Sequence, residues 1–401
     1  MQKYNFFTEH LNFDIETFIK KHINDNKNTL AFKLKANKQT NFNANLVLET
    51  LINYKKALYK VPIYALNYCW LPTKSYEQCS SELTSFYKSS LYKGDKVLDL
   101  SGGLGIDDIA FAKKFNEVIS IDCDEELNEI VKFNFNKLGI KNIERVTAFA
   151  EDFLQKNNTN FDLVYIDADR RPLGNNKSFL FEDCTPNILE IIPPLKQISN
   201  QLLIKLSPLI DLNYCIKSIK NIEEIHVVSL KNEVKEILLK VNFLIESSTK
   251  IKAINIINNE EIQLFEEVES HIEQNIEFSE ATYFFEPNAS IIKARLSFKY
   301  SQSLGLKMLA ENSNFFIGNN NIENFMGRSF KIKQSMVFSK QEFINYLKQN
   351  NISKANISKR NFPINETEIA KQFNIKNGGE DYFFFTKNSQ DQKLVFHCVK
   401  N

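Results

Sequence analysis

The chain has 401 residues and a net charge of +1, with 43% hydrophobic and 25% charged residues. This is the composition of a globular protein, and the length favours two or three domains over a single core. No stretch approaches the roughly eighteen consecutive apolar residues of a membrane span, and the first residues lack the apolar core of a signal peptide. We therefore expect a cytoplasmic protein.

The six cysteines and five histidines predict no metal site. The cysteines are scattered without a Cys-x-x-Cys pair, and the histidines form no cluster with ligand spacing. Zinc ribbons and disulfide frameworks both require such clusters. We expect neither a metal nor a disulfide scaffold.

Residues 1–90 carry helical patterns and few turn signals. From Ala44 to Tyr59 the apolar residues recur at helical spacing, which predicts an amphipathic helix. A last helix is predicted from Tyr76 to Tyr87, running directly into a strand, with Ser80 or Ser81 as a possible N-terminal cap. This segment is predicted to be an all-helical domain.

The glycines at Gly102, Gly103 and Gly105 follow an apolar run, 96–100, that predicts a buried parallel strand. Glycine lets a strand turn sharply into a helix and lets the backbone approach a ligand closely. A dinucleotide-binding fingerprint needs a third glycine, but Asp108 stands at that position, so NAD is disfavoured.

The residues just before these glycines suggest another ligand. Asp99 closes the predicted strand, and Ser101 is the first small residue of the loop. An acidic strand end followed by a loop of small residues suits a cofactor with an amino-acid tail and no pyrophosphate. The pattern is that of S-adenosyl-L-methionine binding.

Three further predicted strands end on an acid, at Asp122, Asp152 and Asp167. Asp122 is the candidate for the ribose diol, because a carboxylate can accept two hydrogen bonds, and Asp152 is the candidate for an adenine amino group. For any single acid the alternative is a helix N-cap. All four acids, including Asp99, are expected to share one crevice at the carboxyl ends of the strands.

This order resembles the class I S-adenosylmethionine-dependent methyltransferases from about Leu91 to Leu239. A predicted antiparallel hairpin, 224–230 with 233–241, adds to the likeness. The resemblance implies an α/β fold with a Rossmann-like sheet, a helical N-terminal domain and small α+β C-terminal domains. It also implies the cofactor S-adenosyl-L-methionine, with these binding residues: Asp99, Ser101, Gly102, Gly103, Gly105, Asp122, Asp152, Asp167, and, as second candidates over the methionine end, Gln78 and Ser81.

The resemblance places Asp167 beside the reacting methyl group, followed by Asp169, Arg170 and Arg171 as further catalytic candidates. Enzymes that methylate amino groups of bases usually have two prolines and an aromatic residue after this acid, whereas Ala168 follows here. Asp167 still offers an acceptor, and the arginines could hold a phosphate or stack on a base. Alternatively, they form ion pairs with a nearby carboxylate.

Methylation at a pyrimidine carbon would require a thiolate, for which Cys184 is the only nearby candidate. A small residue at a helix start is the favoured interpretation of this cysteine.

Charge is distributed unevenly along the chain. Residues 281–401 contain 17 Lys/Arg and 9 Asp/Glu, which leaves the first 280 residues at −7. A basic appendage on a catalytic domain is typical of proteins that handle nucleic acids, since phosphate contacts supply most non-specific affinity. The alternative is a solvated basic face without a partner.

The segments 354–363 and 378–385 resemble the THUMP-like C-terminal domain of a group of bacterial methyltransferases, which implies an RNA substrate. The expected domains are a helical domain at 1–90, the methyltransferase domain at 91–280, a ferredoxin-like unit at 281–334 and the THUMP-like domain at 335–401. The leading hypothesis is a methyltransferase acting on tRNA or rRNA. The alternatives are methylation of a protein or small molecule, and a non-catalytic RNA-binding protein.

Overall fold

The computed structural model describes residues 11–25, 43–167, 169–170 (backbone only), 180–246, 248–267 and 277–401. Two compact units divide the chain. The first comprises Met1–Ile225 with Ile237–Thr249, and the second comprises His226–Glu236 with Lys250–Asn401.

The described residues form these α-helices: α1 (Ile15–His22), α2 (Ala44–Lys60), α3 (Pro62–Leu66), α4 (Thr73–Gln78), α5 (Glu82–Ser90), α6 (Ile106–Phe111), α7 (Glu125–Lys137), α8 (Ala150–Lys156), α9 (Ile188–Ile198), α10 (Leu212–Ser218), α11 (Ala289–Lys293), α12 (Ser297–Ser303), α13 (Lys340–Gln349) and α14 (Glu366–Phe373). A 3₁₀ turn spans Phe181–Asp183.

The strands are β1 (Gly94–Asp99), β2 (Phe115–Asp122), β3 (Ile143–Thr147), β4 (Leu163–Asp167), β5 (Asp169–Arg170), β6 (Cys184–Thr185), β7 (Gln201–Leu206), β8 (Ile222–Leu230), β9 (Glu233–Asn242), β10 (Lys250–Ile256), β11 (Ile262–Glu266), β12 (Tyr283–Pro287), β13 (Lys307–Met308), β14 (Phe316–Gly318), β15 (Gly327–Val337), β16 (Lys354–Lys359), β17 (Lys376–Lys387) and β18 (Lys393–Lys400).

The helices before β1 form the expected helical segment and bury one core with later residues. Trp70 is fully buried, and its backbone N–H donates to Asn134 of α7. The same core includes Leu104 and Phe135. The predicted helix from Tyr76 to Tyr87 is interrupted, however, because α4 ends at Gln78 and α5 begins after a new cap.

The sheet of the first unit has the order β9-β7-β4-β1-β2-β3. All neighbours are parallel except β7 and β9, which run antiparallel over 201–206 and 237–242. Val97 and Leu98 of β1 are fully buried, as expected for a central parallel strand covered on both faces. This confirms the class I methyltransferase-type sheet.

Three of the four predicted acids lie where strands end. Asp99, Asp122 and Asp167 are the last residues of β1, β2 and β4, which are neighbours at one edge of the sheet. Asp152 is different, because β3 ends at Thr147 and Asp152 lies in the first turn of α8. Its placement on a strand end was wrong, and its carboxylate complements the dipole at the start of that helix.

The second unit contains an antiparallel pair, β10 with β11, and a sheet of order β13-β14-β12-β15-β18-β17-β16. One face of this sheet buries a cluster of aromatic residues that includes Phe284, Phe330 and Phe396. The other face is covered by α13 and α14 through Phe343 and Ile369. Strand β15 runs through residues 334 and 335, across the predicted boundary between the last two domains.

No helix within the described residues is both long and apolar enough to cross a membrane.

Candidate functional site

The loop between β1 and α6 requires glycine at two positions. Gly103 and Gly105 have φ values of +49° and +79°, in the left-handed region that side chains with a Cβ disfavour. A Cβ at Gly105 would also lie 2.5 Å from the ring of Phe135. A Cβ at Gly103 would meet nothing closer than the Ser101 carbonyl oxygen, at 3.7 Å, so the space beside this glycine is open.

The matched pair Gly105→Ala and Gly139→Ala tests this loop. Both residues have a positive φ, but a Cβ at Gly139 meets nothing within 4 Å. We expect Gly139→Ala to lower the free energy of unfolding by about 1 kcal/mol through backbone strain, and Gly105→Ala by about 3 kcal/mol because overpacking is added. Urea denaturation measures both, and equal losses would contradict the contact with Phe135.

Asp99 precedes the glycine loop and holds Ser101, at its start, by hydrogen bonds. It is buried, with 1% of its surface exposed. One carboxyl oxygen accepts hydrogen bonds from the backbone N–H and the hydroxyl of Ser101, at 2.7 and 2.9 Å. Burial, followed by the negative charge of Asp108, raises the pKa of Asp99 well above its usual range. The protonated form of Asp99 is therefore favoured in the folded state.

A protonated Asp99 also satisfies its neighbour. Asp108 Oδ1 is buried, and no N–H group or hydroxyl among the described residues donates to it. The two carboxyls are within hydrogen-bonding reach, which requires one proton between them. Asp99 thus donates to Asp108.

Asp122 is at the end of β2 and is not a helix cap. One of its oxygens accepts from the N–H of Gly103 at 2.9 Å, and the other accepts from the N–H of Asp124 at 2.9 Å. Asp124 is the residue that caps α7, through the N–H of Leu127. The capping alternative therefore applies to Asp124, and Asp122 is tied to the glycine loop.

Asp167 and Lys205 form an ion pair at the ends of adjacent strands, where the two residues are register partners. The Asp167 side chain is 31% exposed and that of Lys205 is 14% exposed. The backbone N–H of Asp167 donates to the hydroxyl of Ser101 at 2.6 Å. Ser101 therefore links Asp99 to Asp167.

Sequence reasoning did not find Lys205. It lies between the buried residues Ile204 and Leu206 of β7, and nothing in this local pattern distinguishes it from the other lysines of the chain. Only the pairing of β4 with β7 places it opposite Asp167.

Asp107 was also missed. Its carboxylate accepts from the hydroxyls of Ser85 and Tyr165, at 2.5 and 2.9 Å, and lies 3.2 Å from the ammonium of Lys88. Burial opposes ionisation here, but the charges of Lys88 and Lys205 outweigh it and lower the pKa of Asp107. Asp107 thus links α5 to α6 as a mostly buried anion.

The two second candidates for cofactor contact lie on opposite sides of a break between helices. Ser81 is the N-cap of α5, accepting from the N–H of Thr84 at 3.2 Å, as the alternative interpretation predicted. Gln78 is the last residue of α4. Their contact with a cofactor stays a prediction.

The catalytic candidates after Asp167 are described only in part. Asp169 and Arg170 form the backbone of β5, which pairs with β6, and their side chains lie outside the described residues, as does Arg171. Cys184 is 5% exposed, and its thiol points to the carbonyl of Leu180 at 3.5 Å. A buried thiol of this kind favours the structural interpretation of Cys184.

The residues present fit S-adenosylmethionine. The open space beside Gly103, the carboxylate of Asp122 and the partly exposed carboxylate of Asp167 all lie at one edge of the sheet. Such an edge offers an amide-lined loop for the methionine end, an acceptor for the ribose diol and an acid near the cationic sulfur. In the described residues, no group of three or more His, Cys, Asp or Glu could hold a metal.

Comparison with known proteins supports this architecture. Residues 327–400 match the family model described as THUMP domain-like. The crystal structure of a "putative methyltransferase" from Porphyromonas gingivalis W83 shares the fold, with a TM-score of 0.82 and 26% identity over 96% of this chain and 97% of that one. None of the curated proteins compared matches the sequence.

Two smaller structures match part of the chain. TrmK of M. capricolum, solved with S-adenosyl-homocysteine, is 16% identical over 42% of this chain and 71% of its own, with a TM-score of 0.33. An rRNA methylase from Streptococcus thermophilus is 16% identical over 40% and 93%, with a TM-score of 0.30.

The chain therefore has a class I methyltransferase fold. More narrowly, it combines this fold with a THUMP-like domain at residues 327–400.

Proposed function

We propose that this protein transfers a methyl group from S-adenosyl-L-methionine to RNA, with a tRNA or an rRNA as substrate. The proposal rests on one observation. The open glycine loop, Asp122 and the Asp167–Lys205 pair lie at the ends of neighbouring strands. When bound, the cofactor supplies an electrophilic methyl group on a sulfonium.

The residues of the chain would then act mainly by positioning. The backbone at Gly103 and Gly105 would hold the methionine end, Asp122 the ribose and Asp152 the adenine. Asp167 would orient the methyl acceptor and accept its proton, while the ion pair with Lys205 holds this carboxylate in place. Alignment is expected to supply most of the acceleration, because displacement at a sulfonium needs little covalent help.

The RNA substrate is supported by the second unit. Residues 281–401 have a charge of +8, and the THUMP-like match covers 327–400 within this segment. Exposed lysines include Lys331 and Lys376. Phosphate contacts from such a surface would bind the nucleic acid and leave selection of the nucleotide to the catalytic crevice.

Two measurements test the proposal. Calorimetry of the full chain with S-adenosylhomocysteine should give one binding site. Mass profiles of the nucleosides of total RNA from cells with and without the gene should then differ by one methylated nucleoside. Binding without any change in RNA would redirect the proposal to a protein or small-molecule substrate, and absence of binding would refute it.

A further inference from the structure

Arg145 lies beneath the glycine loop, in the middle of β3, with 1% of its side chain exposed. Nothing in the sequence marks this residue, because β3 contributes no acid or glycine to the loop. A buried guanidinium must nevertheless have its donors satisfied, or burial would cost several kcal/mol.

The partners of Arg145 define what it holds. One terminal nitrogen donates to the carbonyl of Gly103 at 2.5 Å and lies 3.6 Å from the carboxylate of Asp122. The other donates to Asp108 at 3.1 Å and to the hydroxyl of Ser120 at 2.9 Å. The remaining donor, Nε, reaches Asn128 of α7 at 2.6 Å. The guanidinium therefore joins the loop, β2, α6 and α7.

Gly103 is fixed by this arrangement at both of its backbone groups. Its N–H donates to Asp122, and its C=O accepts from Arg145. Asp122 and Arg145 also attract each other across 3.6 Å. Arg145 thus contacts both the left-handed turn at Gly103 and the Asp122 carboxylate, which is the candidate for ribose binding.

Gly102 shows how tightly the guanidinium fits. Unlike its two neighbouring glycines, Gly102 does not have a positive φ, so its backbone conformation does not require glycine. A Cβ at this position would instead overlap the guanidinium of Arg145 and the hydroxyl of Ser120. The side chain of Arg145 is therefore the reason that residue 102 has no Cβ.

We propose that Arg145 is the positioning residue of the donor site: it preorganises Gly103 and Asp122 for the cofactor without touching it. This inference rests on the proposed function. Its physical basis is that a buried planar fork with five donors can hold two ligand-binding groups at fixed separation, which a lysine cannot.

The test is calorimetry of the full-length protein with S-adenosylhomocysteine and, separately, with adenosine, which retains the ribose. Arg145→Lys keeps the charge but loses the fork, and we expect the Kd for both ligands to rise about 10-fold or more. Arg360→Lys is the matched control. Arg360 is a partly buried arginine, with 23% of its side chain exposed, bonded to Glu286 and to the carbonyl of Asn314 in the second unit, so its loss should lower stability and leave donor affinity unchanged.

Gly102→Ala provides a second route if Arg145→Lys does not fold. It should weaken donor binding by displacing the guanidinium, and in combination with Arg145→Lys it should add little, because both act through one contact. Unchanged affinity in the folded single variants, or fully additive losses, would overturn the inference. Absence of binding by the unaltered protein would overturn the proposed function and the inference with it, whereas binding that is indifferent to residue 145 overturns the inference alone.

Discussion

Replacing Asp167 with alanine is expected to reduce methyl transfer to RNA at least about 100-fold, as loss of one oriented polar group at a reacting centre commonly does. The carboxylate ends β4, is partly exposed and forms an ion pair with Lys205, while the backbone N–H of Asp167 donates to the hydroxyl of Ser101. In the proposed function, its removal takes away the acceptor of the substrate proton and also the ion pair with Lys205. The measurement is the rate of transfer from labelled donor to RNA from cells that lack the gene.

The control for this substitution is Asp162→Asn, at the opposite end of the same strand. Asp162 accepts from the backbone N–H groups of Asp95 and Lys96, at 2.6 and 2.9 Å, and an asparagine oxygen can do the same. We expect its transfer rate to stay within about two-fold of the unaltered protein. A rate for Asp167→Ala within a few-fold of that control would show that Asp167 is not at the reacting centre.

Asp99→Asn is expected to become more stable relative to the unaltered protein as pH rises. The folded protein keeps the proton of Asp99 to a higher pH than the unfolded chain, in which this carboxyl has a pKa near 3.8. The folded state then binds more protons than the unfolded state, so the free energy of unfolding falls with pH until the raised pKa is passed. Asparagine donates to Asp108 and accepts from Ser101 without any proton to lose.

The difference in unfolding free energy should therefore grow by up to about 1.4 kcal/mol per pH unit above pH 4. Urea denaturation of both proteins at pH 5, 6 and 7 measures it. Asp107→Asn serves as the contrast, because the pKa of Asp107 is lowered and its contribution is lost only as pH falls below 3.8. Its difference from the unaltered protein should be constant over the same range, and parallel curves for Asp99→Asn would exclude a protonated Asp99.

The parts of the site that follow from local sequence were predictable. Apolar runs that end in Asp99, Asp122 and Asp167 mark strand ends, and parallel pairing brings such ends together. Asp152 was misplaced because a short β-like run before it continues into a helix, and an acid fits either a strand end or a first helical turn equally well.

The parts that depend on pairing between distant segments were not predictable. Lys205 meets Asp167 only through the register of two strands that are 38 residues apart at these positions. Asp107, Asp108 and Arg145 are charged residues that a pattern assigns to the surface, yet Asp108 and Arg145 are buried and the Asp107 side chain is only 11% exposed. Asp108 is an example. It stands where a dinucleotide-binding fingerprint would have its third glycine, and its carboxylate forms a buried ion pair with Arg145.

The shared core of the helical segment has a consequence for synthesis of the protein. Trp70 and Tyr64 emerge from the ribosome early, but the residues that cover them, from Leu104 to Phe135, are translated much later. Until then the early helices expose apolar surface that their own residues cannot cover. The described helices before β1 therefore acquire a complete core only once the glycine loop and α7 have been synthesised.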